Sequence, residues 1–554
     1  MLRNRQRLSI RLAATVAVSA LACTSPALAQ QTVLRAKGGD FEFIGKLKSA
    51  TPAAFVLETP SGEVALDASQ FDCLGAGCPA GERTAAVATE RLTVHGSSTI
   101  GERLMPELIR AYARSLGADA NQSTGERRNE TRFRVRNAQK AEIATIDVQR
   151  YGSPTAFTAL AKGEAQFGMS SRAIGAEEAR TLAPLMTGGV VQNEHVLGLD
   201  AIVFIVAPGN PLASLSLDQI ARIYAGQLTD WQELGVPAGP ITVYAADAGS
   251  ATFEDFKEQI LKPRNLVTGA YVRRLDANAE IADAVAKDPR AIGMTSVASI
   301  RNVRSVPIAG TCGLVTEANA FSIKAENYPL SRRLYVYTAG PLQGGFAQGL
   351  LKYALSTHAQ SAVLGSQFVD QRIDSIPYAD VAARFQVKLA PGLVDPLLER
   401  QLLAELTPAR QLSIAFRFAT GSSEFQSKSR QDVQRLAELL QTPEYQKKTV
   451  ALLGFTDDTG SPLANARLGQ RRAEQARQAV LAAGAGRINP RQIAARGYGP
   501  LAPVACNDTL QGQQLNRRVE VWMRDLNPPT PALDPAKALR ARQAQEATAA
   551  GPRR

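Results

Sequence analysis

Two groups of residues in this chain have types and spacings suited to gripping another molecule. The first lies in Gly454 to Ala473, GFTDDTGSPLANARLGQRRA. An apolar strand, Thr449 to Leu453, is expected to run into a turn that presents Thr456 and Asp457. A helix follows and carries Arg472, fifteen residues after Asp457. A carboxylate at a strand end beside a helix-borne guanidinium suits a ligand with both an ammonium and a carboxylate; the alternative is an internal salt bridge between the two. The second group is three hydroxyl-rich segments, each expected to end a strand and open a helix: Gly96-Ser97-Ser98-Thr99-Ile100, Gly168-Met169-Ser170-Ser171-Arg172 and Asp247-Ala248-Gly249-Ser250-Ala251-Thr252. Each sets hydroxyls and backbone N–H groups at a helix start. Together they suit a tetrahedral oxyanion, each charge-assisted bond contributing about 1.5–3 kcal/mol. For any one of these serines the alternative is a helix N-cap.

Other chemistry is thinly represented. The three histidines, His95, His195 and His358, are isolated from one another and from any second ligand at metal spacing. There is no G-x-S-x-G elbow and no GK[ST] phosphate loop, and Cys506 has no histidine partner. Gly484-Ala485-Gly486 reads as a helix stop. The chain therefore reads as non-enzymatic, with no cofactor and no metal; a secreted phosphatase-like or wall-lytic enzyme lacks the nucleophile–base and metal sets it would need.

The elements that must position these residues sit in a long, exported chain. Its 554 residues, 45% hydrophobic and 21% charged, are enough for several domains. Arg3, Arg5, Arg7 and Arg11 precede the apolar run Leu12 to Ala22, and Ala27-Leu28-Ala29 offers a cleavage site. Residues 1–29 read as a secretory signal peptide, too short for a membrane span. Cys23 is expected to leave with it, lipidation being the minor alternative because Ala20 stands where a large aliphatic residue belongs. Losing four arginines lowers the formal charge from +12 to +8. A basic patch runs from Arg127 to Arg136. Without aromatic–basic interleaving this balance points to anionic wall polymers or solutes, not nucleic acid. Cys73 and Cys78, in CLGAGC, frame a loop suited to a small disulfide in an oxidising compartment. Cys312 and Cys506 either pair across an interface or are each free.

The expected fold is multidomain. Residues 31–80 alternate as a small β domain, and a polar link from Ala80 to Glu90 follows. Strands and helices then alternate over 91–385, as in an α/β fold with mainly parallel sheets. A linker, 386–410, ends in a short helix from Leu397 to Leu406. An α+β domain occupies 411–525, and 526–554 read as a disordered tail.

Thr456-Asp457, then Asn465, Leu468, Arg472 and Ala473, then Asn516-Arg517-Arg518-Val519, resemble the TD, N…LS..RA and NRRV motifs of the OmpA-like peptidoglycan-binding domain. The resemblance implies that Asp457 and Arg472 hold the diaminopimelate of the wall stem peptide, with Thr456, Asn465, Leu468, Asn516 and Arg517 around them. It also implies attachment to peptidoglycan in the periplasm or envelope of a Gram-negative bacterium. Two positions depart from the family: Phe455 replaces a usual His, and Gly469 a usual Ser.

The three hydroxyl segments, with Ile202 to Gly235 and Ala291-Ile292-Gly293-Met294, resemble the phosphate-binding protein of bacterial phosphate ABC importers. That implies a two-lobed α/β periplasmic-binding-protein fold that closes on phosphate or a related oxyanion. The implied ligands are Ser98, Thr99, the backbone N–H of Ile100, Ser153, Ser171, Ser250, Ala251 and Thr252. Ala246 stands where the family places an arginine on the phosphate, and Arg172 is the candidate replacement; Ser171 stands where the importer proteins have an aspartate. Two functions follow: a wall-tethered solute-binding protein, with an ABC permease or other envelope protein as partner, or a structural envelope protein whose cleft has lost its ligand.

Overall fold

The computed structural model describes residues 32–36, 42–51, 54–59, 62–68, 71–74, 78, 89–342, 345–386, 395–418 and 424–525. The expected signal peptide, most of the link before Glu90 and the expected tail lie outside the described residues. The N-terminal part forms a unit of its own. It is an antiparallel five-stranded sheet in the order 62–67, 54–59, 42–50, 32–36, 71–74. Alternation puts Phe55 and Leu57 on one face, where they meet Leu34 in a very small core. So little apolar burial needs a staple, and the Cys73–Cys78 disulfide supplies one, its Cα atoms 5.8 Å apart.

From Glu90 onward two lobes share a pair of long strands. The first lobe stacks strands Ser331–Tyr337, Phe167–Ser170, Glu90–Gly96, Glu142–Gln149, Glu130–Arg136 and Asp119–Thr124 in that order. The second has Arg273–Leu275, Thr242–Ala246 and Ala291–Ser296. Strand Glu194–Val206 passes between them, antiparallel to Ser331–Tyr337 along its first half and to Ala291–Ser296 along its second. It is buried on both faces from Val196 on, as a continuous apolar run requires.

The sheets are mixed, which corrects the expectation of mainly parallel ones. Within the sheets of these two lobes, parallel strand pairing among the described residues is confined to 90–96 with 142–149 and 167–170, and to 242–246 with its two neighbours. The basic patch contains a strand, Glu130–Arg136. It forms a ribbon in which Phe133 and Val135 point inward while Arg132 pairs with Asp147 at 2.6 Å.

The C-terminal sheet runs 375–377, 410–417, 518–525, 448–455, 493–499. Helices Ser427–Leu440 and Pro462–Ala483 cover one face through Val433, Leu436, Ala473, Ala476 and Val480. Helix Pro396–Leu406 covers the other with Leu402 and Leu406, joined by Tyr378 and Phe385 beside Trp522. Its start is capped by Asp395, which accepts from Leu397 N–H at 2.8 Å. The segment expected to be a linker therefore ends as part of this sheet's core, and 375–386 belong there too. The helix stop at Gly484 is present, with Gly486 at φ +79°.

Candidate functional site

The first lobe brings three of the expected loops together at strand C-termini. Strand Glu90–Gly96 ends on Gly96 at φ +129°, where a Cβ would lie 2.1 Å from Met169 O, so only glycine fits. Ser97 N–H donates to Met169 O at 2.9 Å, and Gly152 N–H to Gly96 O at 3.0 Å. These bonds tie the ends of three elements into one cradle. Ser153 and Ser171 are buried there with their hydroxyls 3.4 Å apart, and Ser171 N–H donates to Ser153 Oγ at 3.2 Å. Ser98 Oγ donates to Arg150 O at 3.2 Å. Thr99 makes no capping bond at the head of the turn Ile100–Leu104. Ser97 is fully buried, and its hydroxyl has no partner among the described residues. Burying such a group costs about 1–3 kcal/mol, which a bound ligand or water would offset.

The second lobe answers differently at each position. Ser250 accepts from Phe253 N–H at 3.1 Å and so caps helix Ala251–Phe256, the plainer of the two roles open to it. Thr252 is buried and accepts from Arg332 Nη2 at 2.9 Å. Arg332, on the crossover strand Ser331–Tyr337, is gripped by Asp200 at 2.7 Å and Asp255 at 2.9 Å. Burial pushes Asp255 above the usual carboxylate range, even with Arg332 pulling it down. Arg172, the expected replacement cation, forms a bidentate pair with Glu178 at 2.6 and 2.8 Å and lies over the Phe157 ring. At Ala246 another guanidinium arrives: Arg274 donates to Ala246 O at 2.9 Å and stacks 3.7 Å over Phe253.

The C-terminal site has a clear electrostatic asymmetry. Strand Lys448–Phe455 delivers Thr456 and Asp457, both buried. Thr456 Oγ1 donates to Asp457 O at 2.8 Å. Asp457 accepts from Thr459 N–H at 3.0 Å and from Arg517 Nη1 at 2.7 Å. Burial alone would raise its carboxyl; Arg517 and Thr459 more than offset that and hold it below the usual range. The internal salt bridge is thus made with Arg517, not with Arg472. Arg472 lies over the Phe418 ring, and its Nη1 is buried with no partner among the described residues. Desolvation, then the nearby Arg517, lower its pKa. Asn465 donates to Thr459 O at 3.1 Å and so fixes the turn; Leu468 lies half-buried on the same helix. Asn516 is fully buried: it accepts from Val504 and Ala505 N–H and donates to Ala505 O and Asn507 Oδ1, a clasp on loop 504–507. Arg518 is buried between Glu520 and the Phe455 ring, so the phenylalanine at the usual histidine position is part of the core.

Residues 129–358 match the family model of the PBP superfamily domain, and residues 417–517 match the OmpA family. The chain carries a PBP superfamily domain followed by an OmpA family domain. Over 286 residues it is 23% identical to the phosphate-binding protein PstS of Staphylococcus saprophyticus, covering 48% of this chain and 86% of that protein. Over 83 residues it is 39% identical to the probable lipoprotein YiaD of Escherichia coli, 15% of this chain and 36% of that one. The match therefore spans about a third of YiaD. A putative phosphate ABC transporter substrate-binding protein with bound phosphate, from Clostridium perfringens, is similar at 24% identity, with a TM-score of 0.38, over 51% of this chain and 99% of that one.

Sequence reasoning missed Arg332, Asp200, Asp255 and Arg274. A lone Arg or Asp carries no local pattern: Asp200 and Arg332 arrive on the paired crossover strands, Arg274 on the strand beside Thr242–Ala246, and Asp255 follows the third serine loop on its helix but gains its role only from Arg332.

Proposed function

We propose that the protein is a wall-attached, periplasmic solute-binding protein: its OmpA family domain holds the diaminopimelate-type stem peptide of peptidoglycan, and its PBP superfamily domain takes up phosphate or a related oxyanion. Arg472 carries the first half. A guanidinium with a buried, unpartnered Nη1, beside a carboxylate and a second arginine, is matched by a ligand carboxylate with an ammonium for Asp457. The buried Ser97 hydroxyl and the Ser153–Ser171 cradle support the second half, with the similarity to PstS. Arg274, next to Ala246, stands in for the missing arginine. An ABC permease or another envelope protein would receive the solute.

The rival reading, a structural envelope protein with a silent cleft, draws on one observation. Arg172 and Arg332 are both already paired with carboxylates. The first measurement tests the wall attachment that both readings share, and the second separates them. Asp457→Ala and Arg472→Ala should each abolish co-sedimentation with purified peptidoglycan; wild-type sedimentation by both variants removes the wall assignment. Calorimetry of the mature chain should detect phosphate, with Ser153→Ala and Arg274→Ala each weakening it about tenfold or more. Silence at millimolar phosphate leaves the structural reading standing.

A further inference from the structure

The OmpA family domain is fastened to both lobes, and its two attachments differ in kind. The chain crosses between the lobes at Ile202 and Leu330, where Ile202 N–H donates to Leu330 O at 3.1 Å. Glu194 lies further back on the same extended strand, roughly 26 Å from that pivot at about 3.3 Å per residue. There Ser427 Oγ donates to Glu194 Oε1 at 2.5 Å and Arg430 donates to Val191 O. Glu194 is itself held in the first lobe, accepting from the Tyr337 hydroxyl at 2.6 Å. On the second lobe, the hairpin of Ile308–Ala309 with Val315–Thr316 presents Thr311 and Cys312, and Ala309 N–H ties it to Leu215 O at 2.8 Å. Thr311 Oγ1 donates to Asp508 Oδ2 at 2.6 Å and Cys312 N–H to Cys506 Sγ at 3.0 Å, and the Cys312–Cys506 disulfide makes the attachment covalent. The loop that carries Cys506 is braced on its own side by the Asn516 clasp. Nearer the pivot, Gln511 donates to Pro329 O at 2.8 Å and Arg333 to Gln426 Oε1 at 2.7 Å.

We propose that the OmpA family domain is a strut between the two lobes: it holds them at one angle, with a permanent attachment to the second lobe and a releasable one to the first. A tie at the pivot leaves the lobes free to rotate, since it has no lever arm. A bridge that starts well away from the pivot on one lobe and ends in a covalent bond on the other fixes the angle. Motion between two lobes needs only a few residues at element ends to change conformation. Here it also needs the Ser427 and Arg430 contacts to open, and those are hydrogen bonds that water can replace, whereas the disulfide persists in an oxidising compartment. The domain therefore travels with the second lobe whenever the lobes move, and contacts at the crossover, such as Gln511 with Pro329, survive that motion. The strut does not depend on what the cleft binds. It makes the cleft and the wall-binding domain parts of one joint, in which any change of lobe angle first has to detach that domain from the first lobe.

Double electron–electron resonance on the mature, oxidised chain tests this. Spin labels on Arg114→Cys and Lys287→Cys, exposed positions on helix Met105–Ser115 of the first lobe and helix Asn278–Lys287 of the second, read the angle between the lobes. With the strut intact the labels should give one narrow distance distribution. Ser427→Ala with Arg430→Ala removes the first-lobe attachment and should widen that distribution at least twofold. Cys312→Ser with Cys506→Ser and Asp508→Ala removes the second-lobe attachment and should widen it as much. Far-UV circular dichroism checks that each variant is folded, and the two sets break the strut at opposite ends, so either one alone can refute it. A distribution already broad with both attachments in place overturns the strut. So does a narrow one that survives either set, which would assign the lobe angle to contacts within the lobes themselves.

Discussion

At the scale of single residues, the arrangement of charge says more than the inventory of charged types. Asp457 and Arg472 were legible in the sequence because a short motif brackets them. The ion pair of Asp457 with Arg517 was not, since its partner lies sixty residues on and reaches it only through the sheet. His195 shows the same limit. In sequence it is an isolated imidazole; in the fold it is pressed beneath the C-terminal domain, and burial, helped by Arg430, lowers its pKa from 6.5 to about 4. The unfolded chain therefore binds this proton first as pH falls. The stability at stake is fully present above pH 6.5 and is lost as pH drops towards about 4, on the order of 2–3 kcal/mol. Thermal unfolding followed from pH 7.5 to 4 should show that decline, and His195→Gln should flatten it. An identical pH profile for the variant would assign the decline to other groups.

At the scale of elements, the sequence was read well where a pattern was local. The strand into Phe455 and the helix that carries Arg472 are both where the local pattern puts them. It was read poorly where pairing is long-range: nothing near Glu194 announces that its strand runs thirteen residues and changes sheets midway. Gly469 lies between these cases. It looked like a departure from its family, and packing supplies the reason. Helix Pro462–Ala483 crosses the sheet with Gly469 against Gly454 and Gly497; a Cβ on Gly469 would lie 2.4 Å from Gly454 O, and one on Gly454 1.9 Å from Gly469 O. The backbones touch, so an added methyl must push helix from sheet. Gly469→Ala should destabilise the chain by about 1–3 kcal/mol, read as a lower midpoint in urea unfolding. An unchanged midpoint would mean that the helix can shift at little cost. Because this helix carries Arg472, peptidoglycan affinity should fall with it.

At the scale of the whole molecule, residues 89–525 act as one body because polar groups from the two domains neutralise each other at their junction. Glu326 is the hub. Burial pushes its carboxyl up, yet Arg333, Lys428 and Arg417 outweigh that and hold it at about 2. Its contribution is complete above pH 4.5, the ordinary glutamate value, and is lost as pH falls from there towards about 2. The Cys312–Cys506 bond spans the same junction, and sequence left open whether those thiols meet, because pairing depends on how two domains dock. Closing so long a loop restricts the unfolded chain, and its loss typically costs about 2–5 kcal/mol. The two ties reinforce one another. Reduction at pH 7 should lower the unfolding temperature while the domains stay docked through Glu326. Reduction at pH 3, where both are weakened, should let the C-terminal domain detach and unfold in a transition of its own. Scanning calorimetry of Cys312→Ser across that range is the measurement: one transition at neutral pH and two at acid pH are expected. A single transition throughout would mean that apolar packing, and not this polar junction, holds the domains together.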